Sequence, residues 1–434
     1  MHKSLWSENT TLPQFKKLTE DTKTDVLIVG GGICGILCAY FLHQAKIPYI
    51  LLEKDKIAGG ITKDTTAKIT SLHGLIYDSL IKSFGKEYAQ KYLYANENAI
   101  SDFRTLCKNI DCDFLNLPAV TYSVNNRKKI EKEVSALNSL GVHSEFKSTS
   151  ALPFKIAGSV SLPNQAQFNP LKFIREIAKD LNIYENTKVN NITPEYAECD
   201  SCKVYAKKII VATHFPFINK HGNYFLKMYQ HRSYVLALKG VQKLDAMYVD
   251  EEKYGLSFRN SNDLLLLGGG GHRTGKDGGS FNELINFKKR YYPKSKIITS
   301  WATQDCITLD NVPYIGQYSP KTPNLYVATG FNKWGMTSSM VAASVLCDMV
   351  LEKKNDFLDI FTPQRSILKP QLFINGAESL KNLITPTTKR CPHLGCALKW
   401  NKEEHSWDCP CHGSRFAEDG HLIDNPAMKD ADVK

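Results

Sequence analysis

The stretch Thr24–Leu42 reads TDVLIVGGGICGILCAYFL, and how it is divided decides the fold. Its uncharged run from Val26 to Leu42 borders on the length of a membrane span. Gly30, Gly31, Gly32 and Gly35 argue against a span and for a strand, a tight turn and a buried helix. Gly30, Gly32 and Gly35 have GxGxxG spacing, and a second strand, YILLEK, follows and carries Glu53. This is a full βαβ unit. Gly30 permits the turn, Gly32 lets a pyrophosphate approach the backbone, and Gly35 allows close helix–strand packing. The unpaired N–H groups of the helix face the phosphates, and Glu53 is placed to accept hydrogen bonds from a ribose.

Further pieces extend the site. Gly60 and Thr62 lie in a glycine pair followed by a hydroxyl-rich loop, "GGIT", and KIIVATHFPF reads as a buried strand entering a small-residue turn. NLYVATGFNKWGMTSSMVAASVLCDMV reads as strand, Gly330 turn and apolar helix, whose N-terminus suits a negative charge. With "DNVPYIG", these motifs resemble the FAD-dependent oxidoreductases of the D-amino acid oxidase and glycine oxidase class, over residues 25 to about 352. The resemblance implies an α/β protein that binds FAD in a split Rossmann-type domain (about 24–75, 183–216 and 316–352), under an antiparallel-sheet substrate domain (about 76–182 and 217–315). The cofactor residues it implies are Gly30, Gly32, Gly35, Glu53, Gly60, Thr62, Val189, Gly330, Trp334, Gly335, Met336 and Thr337.

Family members remove a hydride from a C–H beside an amine or hydroxyl, so an amine-like small molecule is the expected substrate. An amino-acid carboxylate calls for a cation, best a bidentate arginine. In glycine-oxidase-like members that arginine precedes the "DG.P.IG" motif. The matching segment here, WATQDCITLDNVPYIG, has Gln304 and Asp305 instead, which puts an α-amino-acid substrate in doubt. Arg259 and His272 are the candidates to replace it, with Arg232, Arg273, Tyr234 and Tyr254 nearby in sequence.

The tail poses a second question. CPHLGCALKWNKEEHSWDCPCHGSRF offers Cys391 and His393 as C-x-H and Cys409 and His412 as C-x-x-H, joined by a predicted hairpin with His405 at its exposed turn. Two thiolates and two imidazoles suit a Rieske 2Fe–2S centre, and equally zinc. The boxes CPHLGC and CPCHGS resemble those of Rieske proteins. That resemblance implies a 2Fe–2S cluster on Cys391, His393, Cys409 and His412, a disulfide between Cys396 and Cys411, a Ser414 hydroxyl bonded to a cluster sulfur, and a proline loop at 425–427. Phe416 stands where high-potential members carry tyrosine, which lowers the expected potential within the Rieske range of about −150 to +300 mV. The all-β cluster domain (389–434) is short. Residues 353–388 read as a helical linker, and the flavoprotein body is expected to replace missing strands.

Length and composition fit a globular protein: 434 residues, 42% hydrophobic and 23% charged. The net charge of +11 sits in separated basic runs with no nucleic-acid motif. No signal peptide is legible and six cysteines are scattered singly, so a cytoplasmic location is expected. Cys199 and Cys202 form a CxxC that opens no helix, and a hairpin is expected there. The pairing of flavin and cluster suggests a dehydrogenase passing electrons through the cluster to an external one-electron acceptor, or receiving them from a donor. A non-enzymatic electron carrier and a flavin oxidase with a structural zinc tail are the alternatives. The oligomeric state is not legible.

Overall fold

The computed structural model describes residues 3–252 and 255–434; Tyr254 lies outside them. Thr22–Val29 is the centre of the first sheet. Val26, Leu27, Ile28 and Val29 are buried on both faces, as an interior parallel strand requires. It pairs in parallel with Tyr49–Leu52 on one side and Lys203–Val211 on the other. The sheet extends through Leu325–Thr329 and Tyr314–Gln317 at one edge and Ile183–Tyr184 at the other. The helix Ile33–Gln44 packs against the helix Gly335–Val350, and both are apolar on nearly every face because both are core.

A second, nine-stranded sheet forms the cap, with Met228–Lys239 antiparallel to both Leu264–Arg273 and Lys296–Thr308. The sequences spaced as amphipathic helices form Arg127–Ser139 and Pro170–Ile177, each N-capped by an asparagine side chain. Cys199 and Cys202 flank the turn between Tyr196–Cys199 and Lys203–Val211; both are buried, and burial pushes the Cys199 thiol up to about 12. Between 353 and 388 lie the helices Leu358–Phe361 and Pro370–Ile384.

The third sheet has four short antiparallel strands: Lys399–Asn401, Ser406–Asp408, Arg415–Ala417 and Leu422–Asp424. Trp400 faces Trp407 across the hairpin, and exposed His405 sits in its turn at φ 49°. Among the described residues no helix is long and apolar enough to cross a membrane.

Candidate active site and metal centre

The glycine-rich turn is held by backbone proximity. Gly30 has φ 111°, and a Cβ there would lie 2.6 Å from the Ala212 carbonyl oxygen. A Cβ on Gly35 would lie 1.9 Å from the Gly30 oxygen, so strand and helix meet only because both residues are glycine. Glu53 ends the second strand with Oε2 accepting from Gly31 N–H at 2.7 Å and Oε1 from Asp55 N–H at 3.0 Å. Burial raises its pKa from the ordinary value, against the pull of the Asp55 and Gly31 N–H groups. Thr62 Oγ1 accepts from Ile33 N–H at 3.1 Å and thereby fixes the "GGIT" loop to the helix N-terminus.

These residues open onto a cavity of about 960 Å³. Gly30, Gly32, Glu53, Gly60, Thr62 and Val189 line it, as do Trp334, Gly335 and Met336 at the start of the later helix. That volume and the glycine cradle fit a dinucleotide. Gly35, Gly330 and Thr337 stand behind the wall. Gly330 turns the chain at φ 71°, and Thr337 donates to the Thr70 carbonyl at 3.1 Å. Trp334 stacks on His73 at 4.9 Å, a contact with no sequence signature.

Arg259 and His272 do not line the cavity. The Arg259 guanidinium donates to the carbonyls of Thr66, Ala67 and Phe168 and ties a loop to the cap. His272 is held between the Tyr234 hydroxyl and the Arg273 carbonyl, both at 2.9 Å. Arg232 pairs with Glu404 of the cluster hairpin, and Arg273 donates to the carbonyls of Pro410 and Cys411. Among the described residues no arginine lines the cavity. Instead Asp305 and His231, paired across two cap strands, both line it, together with Lys333. Burial raises Asp305 to about 6, against the pull of Lys333 and Arg232.

The two cysteine boxes fold as the same turn. Cys391 N–H donates to Cys396 O and Gly395 N–H to Cys391 O; Cys409 N–H donates to Ser414 O and Gly413 N–H to Cys409 O. Gly395 at φ 79° and Gly413 at φ 83° supply the left-handed residue each turn needs. Cys396 and Cys411 are disulfide-bonded and join the loops.

Within this frame Cys391 and Cys409 share a hydrogen bond, which lowers the Cys409 thiol and raises that of Cys391. Backbone N–H groups of His412, Cys411 and Gly413 also stabilise the Cys409 thiolate. The His393 and His412 rings lie 5.0 Å apart, and burial lowers their pKa values to about 4 and about 3, so both are neutral. Each Nδ1 is buried with no hydrogen-bond partner, whereas His393 Nε2 donates to Asn219 Oδ1 at 3.0 Å. Two close sulfurs and two buried, unpartnered imidazole nitrogens form the donor set of a Rieske cluster. Ser414 Oγ bonds Cys391 and accepts from Ala427 N–H at 2.9 Å, which anchors the 425–427 loop.

The profile described as FAD dependent oxidoreductase matches residues 25–349. The chain belongs to that family. The Rieske [2Fe-2S] domain profile matches residues 363–433. This flavoenzyme therefore binds FAD and, in its tail, a 2Fe–2S cluster, and the zinc alternative is set aside. A Bacillus subtilis (strain 168) protein named as a putative Rieske 2Fe-2S iron-sulfur protein, YhfW, is 34% identical over 98% of this chain and 96% of its own. The cytochrome b6-f complex iron-sulfur subunit 3 of Nostoc sp. is 51% identical over 37 residues, 8% of this chain and 21% of its own. Glycine oxidase from Geobacillus kaustophilus has a TM-score of 0.67 at 17% identity, covering 79% of this chain and 99% of its own. L-Proline dehydrogenase from P. horikoshii has a TM-score of 0.66 at 14% identity, covering 80% and 98%. At such identities the two solved structures establish the shared fold.

The cluster domain also reaches the flavin cavity. Leu422, Asp424, Asn425, Ala427 and Met428 form part of its wall. Gln230 Nε2 donates to the carbonyls of His412 and Asn425 at 3.0 and 2.9 Å, and its Oε1 lies 3.2 Å from His214 Nε2 on the cavity wall. Gln304 Nε2 donates to the Gly413 carbonyl at 3.0 Å. Neighbours along one strand point to opposite faces. Gln230 and Gln304 thus hold the cluster loop, while His231 and Asp305, next to them, face the cavity. The same two cap strands therefore contribute to the cavity wall and to the seat of the cluster loop.

Proposed function

We propose that this chain is a dehydrogenase for an amine or an amino-acid-like compound that sends electrons from the flavin site through the cluster to an external acceptor. The observation that carries this reading is that the two cap strands which line the cavity also hold the cluster loop, through Gln230 and Gln304. When bound, FAD accepts a hydride and the 2Fe–2S centre relays single electrons. The chain's own residues bind and orient the substrate. Asp305 is ionised at neutral pH, faces the cavity, and is suited to a substrate ammonium; with a pKa of about 6 it can also hold the proton that the amine gives up before oxidation. The absence of a cavity arginine among the described residues favours an amine over a simple α-amino acid, and Lys333 is among the lysines that line the cavity. His231 and the sheet above the cavity exclude water from this end.

Anaerobic titration of the holoprotein with a panel of amines and amino acids tests the reading. The expected result is stoichiometric flavin bleaching, followed by the electron paramagnetic resonance signal of a reduced Rieske cluster. Asp305→Asn should raise KM for the amine at least about tenfold, the worth of one charge-assisted hydrogen bond. Bleaching only by a reduced protein partner would overturn the reading in favour of a carrier.

A further inference from the structure

The helix Pro370–Ile384 is packed inside out. Its buried face is polar: Asn375 accepts from Arg273 Nη1 at 3.0 Å, Asn382 is bonded at its carbonyl by Ala397 N–H at 2.9 Å, and Glu378 pairs with Lys276 at 2.7 Å. Its solvent face carries Phe373, Ala377, Leu380 and Ile384, at the 4-3-4 spacing of one continuous stripe, with Ile374 and Leu383 alongside. Phe373 is 70% exposed, Leu380 63% and Ile384 71%. Twelve large apolar side chains stand exposed among the described residues, and seven of them fall between 368 and 394. Patches of this kind mark an interaction surface.

The charge around the stripe identifies the occupant. Residues 366–402 contain six basic side chains, Lys369, Lys381, Lys389, Arg390, Lys399 and Lys402, and a single acidic one, Glu378, which is turned inward. A second copy of this chain would set these like charges against each other. A helix with an apolar face and basic flanks suits the headgroup boundary of an anionic bilayer, in which it lies without spanning. The seat also has a defined relation to the cluster. Leu383 lies against Gly395 of the first box, Arg390 bonds the carbonyls of Leu383 and Gly395, and Leu394, next to ligand His393, is 41% exposed.

We infer that the Phe373–Ile384 stripe seats this protein on the surface of an anionic lipid bilayer, with the His393–Leu394 side of the cluster beside it. That this side is where electrons leave rests on the function proposed above; the seat itself does not.

Flotation of the full-length holoprotein tests the seat, using vesicles of phosphatidylcholine alone and vesicles that also contain phosphatidylglycerol. Binding should require the anionic lipid and weaken with salt. The double substitution Phe373→Asp, Ile384→Asp should reduce the bound fraction at least about tenfold, and Lys381→Glu by a smaller factor. Flavin bleaching by the amine and the cluster signal should persist in the double variant, because neither residue lines the cavity or touches the boxes. No binding to anionic vesicles overturns the inference, as does a dimer that the double substitution dissociates. Loss of vesicle binding with bleaching intact in the double variant supports it. Bleaching that fails in wild type while flotation succeeds removes the function reading and leaves the seat standing.

Discussion

Replacing Glu404 by glutamine should undock the cluster domain from the cap. Glu404 sits at the turn of the cluster hairpin and bonds both Arg232, from the cap sheet, and Arg415, from the cluster sheet. The Glu404 side chain is 13% exposed, Arg232 6% and Arg415 5%. Burial works against the Glu404 charge, but Arg232 and then Arg415 more than offset it and hold its pKa at about 2, against an ordinary value of 4.5. At 1.36 kcal/mol per unit, that difference corresponds to about 3 kcal/mol of stability at pH 7, within the range for breaking a buried ion pair. Because the folded pKa is depressed, this contribution is complete above about pH 4.5 and disappears as pH falls toward 2. Arg415 keeps Asp408 and Asp424 in the variant, whereas Arg232 loses its bidentate carboxylate, so the deficit falls on the interface. Glu404→Gln should therefore lower the thermal midpoint of the cluster chromophore by on the order of 5 °C at pH 7, ahead of the flavin chromophore. It should also slow cluster reduction after the flavin is bleached. An unchanged midpoint together with an unchanged rate would refute the account of Glu404 as the clamp.

Gly30→Ala forces a Cβ onto the Ala212 carbonyl at φ 111°, and the purified protein should lose most of its flavin, measured by absorbance of the released cofactor. Cys409→Ser should abolish iron in metal analysis while FAD content stays near stoichiometric, because the glycine cradle does not touch the boxes. Phe416→Tyr, at a buried position opposite Trp407, should raise the cluster potential by roughly 50 mV in a redox titration, as one hydrogen bond of about 1 kcal/mol that favours the reduced state would.

The backbone turns behind the cavity wall and around the cysteine boxes are legible in the sequence because local spacing encodes them. Gly30, Gly35 and Glu53 act within one βαβ unit, and each cysteine box is a five-residue turn closed by its own glycine. Residues that act across the chain were not legible. Arg259 had the right charge in the right domain, but only the fold brings the Thr66, Ala67 and Phe168 carbonyls around it. Asp305 stands in the segment where the resemblance calls for an arginine; that it faces the cavity beside His231 depends on the register of two strands. No local spacing marks Glu404, because its partners are 172 and 11 residues away.

The same register explains how so short a cluster domain can hold its loops. Four strands of three residues each bury little apolar surface, and the tail's loops are held by the Cys396–Cys411 disulfide and by contacts with the cap. The cap makes these contacts by strand parity. Alternate residues of Met228–Lys239 and Lys296–Thr308, namely Gln230, Arg232 and Gln304, face the tail and satisfy its carbonyls and its carboxylate. The intervening residues, His231, Ser233, Thr303 and Asp305, face the cavity. A one-residue slip in either strand would exchange the two sets, unmaking the cluster seat and the cavity wall together. Stability of the tail and its contact with the cavity wall are therefore one property of the cap sheet, and a variant that loosens the first should, on the function proposed above, slow electron transfer to the cluster.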